Sequence, residues 1–163
     1  MDCRGDKMIT LLEINRSINN KIKNAKLNTE FEDVDITSED VNEPIIRPSI
    51  KVSITNSTSG KFNSSCRERN LTVRIYYFCR DRYNFKIENI KMQEILENAF
   101  LDDLQVTESF LISIDNFTSE TVDTVLISSF DLNCVELLPE DKLPNEQGEL
   151  MDDLTMNLGK DED

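Results

Sequence analysis

The sequence predicts an α+β fold: a mixed, mostly antiparallel sheet of four or five strands with two helices on one face, one long projecting β-hairpin and an acidic C-terminal tail. Three observations carry this expectation. Two segments place apolar residues at helical spacing, period-two alternation recurs in pairs of segments after each of them, and acids crowd the chain beyond residue 138. The order helix, hairpin, helix, hairpin is a loose α-β-β doublet repeated twice, which suggests one sheet with both helices on the same side.

Taken in order, residues 1–7 lack periodicity and read as a disordered extension, in which Arg4-Gly5-Asp6 is a chance tripeptide. Across residues 8–25, Leu11, Ile14, Ile18 and Ile22 repeat at helical spacing, with Glu13, Arg16, Asn20 and Lys23 on the other faces. Residues 26–47 are polar and acidic, with a short strand expected at 34–36. Pro44 and Pro48 then hold the chain extended. From Ser49, Ile50, Val52 and Ile54 alternate with Lys51, Ser53 and Thr55 as in a half-buried strand, and residues 56–65, rich in Ser, Asn and Gly, read as a turn.

The returning strand, residues 66–79, sets Leu71, Val73, Ile75, Tyr77 and Cys79 against Thr72, Arg74, Tyr76 and Phe78. Fourteen residues extend to about 46 Å, so the distal part of this hairpin is expected to project. A second helix is expected over residues 86–101, its stripe made of Ile87, Ile90, Ile95 and Ala99 with Met92, Leu96 and Phe100 beside it. Strands at 107–115 and 121–137 follow, with a turn at 116–120. Pro139 and Pro144 end any strand.

These elements make one domain, residues 8–138, followed by an acidic tail, residues 139–163. The net charge is −14, from 32 acids and 18 bases, and the tail alone holds nine of those acids and two of the bases. Such a balance argues against specific nucleic-acid binding, which needs clustered cations. No apolar run approaches the roughly 18 residues that span a bilayer, and no signal-peptide core appears, so a soluble protein made in the cytoplasm, without membrane contact, is expected. Four N-x-S/T triplets, at Asn56, Asn63, Asn70 and Asn116, are then incidental. Cys3, Cys66, Cys79 and Cys134 form no CxxC pair and are expected to be reduced and mostly packed.

The chemistry of catalysis is largely missing. There is no histidine, so the commonest general base and metal ligand is absent. Gly5, Gly60, Gly148 and Gly159 never cluster, which removes both the Walker loop and the dinucleotide fingerprint. The acid pairs Asp102-Asp103, Glu39-Asp40 and Asp152-Asp153 lack EF-hand spacing and read as solvated surface. The expectation is a protein that is not an enzyme and has no catalytic, metal or cofactor-binding residues and no cofactor.

Two features point instead to contacts. Lys61, Arg67, Arg69, Arg74, Arg80 and Arg82 place a basic strip on the first hairpin of an acidic protein, suited to an acidic neighbour or to another copy. In the tail, Leu150, Met151, Leu154 and Leu158 would line one side of a short helix able to dock in a partner's groove.

A short N-terminal helix, then VDITSEDVNEPIIRPSIKVSI with a proline just before the strand, then RNLTVRIYYFCRDRYNF leading into the helix IKMQEILENAF, resembles the tail terminator, or tail completion, proteins of long-tailed phages and phage-like contractile bacteriocins of Gram-positive bacteria. The likeness covers roughly residues 8–138. It implies a structural protein of a virion or phage-like particle tail, assembled in the bacterial cytoplasm: a homo-oligomer, typically a hexameric ring, capping the head-proximal end of the tail tube. Its implied partners are the tail tube protein and the sheath and neck or collar proteins. It also implies that tube and sheath polymerisation end at this ring. The acidic tail lies outside that pattern. A competing expectation is an acidic DNA mimic that inhibits a DNA-binding enzyme, which would require carboxylates spaced along one face.

Overall fold

The computed structural model describes residues 8–37 and 45–139. Helix α1 is Leu11–Lys26, followed by β1 (Asp35–Thr37), β2 (Ser49–Lys61) and β3 (Cys66–Phe78). Helix α2 is Phe85–Ala99, followed by β4 (Leu104–Thr107), β5 (Phe110–Val122) and β6 (Val125–Leu137). The six strands form one sheet in the order β1-β2-β3-β6-β5-β4. Every pairing is antiparallel except that of β1 with β2. The α+β class and the mixed, mostly antiparallel sheet are as expected, with one strand more than the upper expectation.

The sheet is built around β3 and β6, which pair residue for residue from Cys66↔Leu137 to Phe78↔Val125. Alternation on both strands sends one set of side chains to the core and the other to the opposite face. Leu71, Val73, Ile75 and Tyr77 on β3 and Leu126, Phe130 and Leu132 on β6 are buried with Ile14, Ile18 and Ile22 of α1 and Met92 and Leu96 of α2. Burying each such side chain contributes about 1.5–3 kcal/mol, so this stripe-on-sheet contact dominates the stability. Phe100 packs at a tilt on Phe130 and stacks with Phe117, at centroid distances of 4.7 and 5.9 Å, joining the end of α2 to β5 and β6.

Helix α1 starts where its sequence can cap it. The Thr10 hydroxyl accepts the Glu13 amide while the Glu13 carboxylate accepts the Thr10 amide, a capping box that satisfies two donors. Two lysines of α1 tie down neighbouring backbone: Lys21 Nζ donates to the carbonyls of Asp102 and Asp103 at 2.8 and 2.7 Å, and Lys26 donates to the Val34 carbonyl. Burial holds both ammonium groups below the ordinary lysine value, against the pull of nearby aspartates.

Three expectations need correction. The turn expected at 116–120 is strand: Asn116, with φ of 55°, sits in a bulge between Asp115 and Thr118, and the chain reverses at Asp123 and Thr124, whose φ values are 47° and 73°. The turn expected at 56–65 is likewise shortened. Asn56, with φ of 50°, marks a bulge between Thr55 and Thr58, and β2 continues to Lys61. Asparagine tolerates the left-handed region because its side chain can bond locally, so it serves bulges as readily as turns. Third, Ile87 and Ile90, expected on the buried stripe of α2, are exposed, and Asn89 is buried in their place. At 3.6 residues per turn they lie about 180° and about 120° around the helix from buried Leu96.

Candidate functional site

The six cations of the first hairpin do not make one patch. Strand alternation separates Arg67 and Arg69, on the helix side of β3, from Arg74 on the other face, and the length of β3 separates Lys61 from Arg80 and Arg82 by about 40 Å. Arg67 and Arg69 are committed inside the molecule. Arg67 pairs with Glu136 of β6, with Nε donating to Oε2 at 3.2 Å, and Arg69, almost fully buried, approaches the same oxygen at 3.9 Å. Glu136 Oε1 accepts the Ile9 amide at 3.0 Å, and Arg69 donates to the Ile9 carbonyl at 3.0 Å. This network fastens the lead-in of α1 to the far end of the sheet.

Arg80 donates to both carboxylate oxygens of Asp33, at 2.7 and 2.9 Å, in an exposed pair. Lys61, Arg74 and Arg82 are exposed, and among the described residues none of the three is in an ion pair. Leu150, Met151, Leu154 and Leu158 lie outside the described residues.

The hairpin has 13 residues in each strand, the first of them longer than expected, and β6 braces β3 along its whole length. What stands exposed is residues 56–61 of β2 and the turn that follows. Beside this lies a feature that sequence reasoning missed. Strand β1 covers β2 only at Ser49 to Lys51, and β4 covers β5 only at Phe110 to Ile112. The outer backbone edges of β2 from residue 52 and of β5 from residue 113 are therefore open among the described residues. Because β2, β3, β6 and β5 alternate in direction, the two open edges run antiparallel to each other.

The face of the sheet opposite the helices carries no packed layer among the described residues. It displays Lys51 and Arg74 against Glu68, Asp115, Glu120 and Asp131, and Thr72 donates to Asp131 at 2.7 Å across the strands. Cations and carboxylates are interleaved, unlike the unbroken row of acids a DNA mimic requires. Among the described residues no three His, Cys, Asp or Glu side chains gather into a metal-binding group.

The buried thiols are not activated. Burial pushes the Cys79 thiol above the ordinary cysteine value despite the Arg47 guanidinium beside it. Burial, with Glu136 adding to it, does the same to Cys134. Tyr77 is likewise raised by burial and by donating its hydroxyl hydrogen to Glu88. Glu136 was legible only as strand. Its signal was a carboxylate at the core-facing register, two residues beyond Cys134 and four beyond Leu132.

A family model described as "Phage tail terminator protein" matches residues 13–144 of the chain. No curated protein matches it significantly.

Proposed function

The chain belongs to the phage tail terminator protein family, a structural component of the virion tail that meets other tail components, and we propose that it closes into a ring capping the head-proximal end of the tail tube. In this reading the ring is a homo-oligomer, a hexamer as the resemblance implies. It ends polymerisation of the tube, and of the sheath in a contractile particle, and joins the tail to the neck or collar.

The observation that carries the reading is the pair of open, antiparallel sheet edges. Exposed strand edges are templates for strand addition. The β5 edge of one copy laid beside the β2 edge of the next continues an antiparallel sheet, and repeating that head-to-tail contact closes a ring when the rotation closes. The sheet face opposite the helices then turns inward. With four carboxylates against two cations, it gives a lumen that does not trap passing DNA. Lys61, Arg74 and Arg82 remain available to the tube protein or an adjacent copy.

Native mass spectrometry and negative-stain imaging of the purified chain with its tail tube protein test this. Rings of one size seated on tube ends support it. A monodisperse monomer indifferent to tubes overturns it, and a structure of the ring with a lumen lined mainly by Arg and Lys would overturn the negative lumen alone.

A further inference from the structure

The outward side of α2 is apolar where a solvated helix should be polar. Ile87 and Ile90, in the first two turns, are 70 and 64% exposed, and Tyr83, just ahead of the helix, is 94% exposed. The charge around them is mixed: Arg80 is paired with Asp33, and Glu30 and Glu88 line the surface beside Ile87 and Asp123 the surface beside Ile90. Among the described residues Arg82 and Lys86 are in no ion pair, and Lys91 meets Glu30 only in an exposed one. Such pairs are weak and exchange readily.

The sequence holds a segment of the complementary kind. Leu150, Met151, Leu154 and Leu158 are spaced for one helical face and interleaved with Glu149, Asp152 and Asp153. These residues lie beyond the family match, which ends at residue 144. We propose that this C-terminal segment docks on the outward face of α2 of its own copy, its leucines covering Ile87 and Ile90 and its carboxylates meeting Arg82 and Lys86.

Reach supports that occupant. The described chain ends beside the first hairpin turn, where the Leu138 amide donates to the Ser65 carbonyl at 2.8 Å. The apolar face lies at the opposite end of β6, where Asn89 Nδ2 donates to the Thr124 carbonyl at 3.3 Å. The 13 residues of β6 separate these points by about 43 Å. Eleven fully extended residues, 139–149, span about 38 Å, and five more at the helical rise of about 1.5 Å each bring Leu154 to about 45 Å. The open face of the sheet, with its excess of carboxylates, repels the same segment. This docking goes beyond the ring reading and holds whether or not a ring forms.

Zero-length carbodiimide coupling of the full chain tests it, using equal amounts of unlabelled and ¹⁵N-labelled protein and peptide mass spectrometry. Of the lysines on the described residues, an undocked tail meets Lys61 before Lys86, because Lys61 lies beside the point from which the tail departs. Docking instead predicts coupling of Glu149, Asp152 or Asp153 to Lys86 at least tenfold above coupling to Lys61, in peptides of a single isotope. Replacing Ile87 and Ile90 together by Asp, or Leu154 and Leu158 together by Asp, should abolish that preference. Coupling to Lys61 equal to or above that to Lys86 overturns the proposal, and so does coupling that both double variants leave unchanged. Mixed-isotope peptides would assign the site to a neighbouring copy's tail and overturn the same-copy docking. None of these outcomes depends on tube capping.

Discussion

Arg67 and Glu136 lie opposite each other on β3 and β6, and their pairing closes the far end of the sheet over the residue that leads into α1. The Glu136 side chain is 4% exposed, whereas Arg67 keeps 21% of its surface, so the carboxylate is the member that water cannot rescue.

Glu136→Ala should therefore destabilise the fold by about 3 kcal/mol, since it leaves buried Arg69 uncompensated and the Ile9 amide unpaired. Arg80→Ala, which breaks an ion pair with both partners about half exposed or more, should cost less than about 1 kcal/mol. Urea unfolding at constant slope reads both values. Equal losses would show that the Glu136 network does not anchor the sheet.

Tyr77→Phe removes the hydroxyl that donates to Glu88 and should cost about 1 kcal/mol near neutral pH. The folded state holds the Tyr77 proton well above the free-phenol value of 10.0, chiefly through burial. Below pH 10 the group is protonated in both states and its contribution is complete. Above it the unfolded chain ionises first, and the wild-type protein loses stability at up to about 1.4 kcal/mol per pH unit. The gap between wild type and variant should accordingly shrink from pH 10 upward. A gap constant to pH 11.5 would contradict the buried phenol.

At Asp123 and Thr124 two successive residues with positive φ make a two-residue hairpin turn, a geometry that Asn-Gly adopts with the least strain. The double replacement Asp123→Asn, Thr124→Gly should raise stability by about 0.5–1 kcal/mol, seen as a higher melting temperature. Asn116→Val, which forces a β-branched residue to a φ of 55°, should lower it by about 1–2 kcal/mol. If residues 116–120 were the turn, the signs of these two results would not separate in this way.

Thiol labelling of the native chain should discriminate by burial. Cys79 and Cys134 are 0 and 6% exposed and their thiols are raised in pKa, while Cys66 is only half-buried. Cys66 should react with iodoacetamide at least tenfold faster than either, and the difference should vanish in denaturant. Rapid native labelling of Cys79 would mean that the β3–α2 corner opens.

Periodicity alone placed α1 and α2 to within three residues and identified the strands of both hairpins, because burying one face imposes a local repeat. The same alternation made the core-facing side of β3 legible from Leu71 to Cys79. The family likeness, too, was carried by the order of these elements. Periodicity was ambiguous where apolar residues lie on two sides of a helix, as at Ile87 and Ile90, and where a polar asparagine serves a bulge rather than a turn, as at Asn56 and Asn116. Strand β4 is only four residues long, too short for a pattern to register.

What only the tertiary structure decided is which charges are spent and which edges stay open. Arg67 and Glu136 are 69 residues apart in the chain, and alternation gives the face of Arg67 but not the carboxylate it meets there. Strand pairing brings the two together. The open outer edges of β2 and β5 exist because β1 and β4 are short, a fact of pairing rather than of composition. Local sequence sets the period and the face of each element. The partner across the sheet is set by register, which emerges only when the two hairpins pack against each other and share one core.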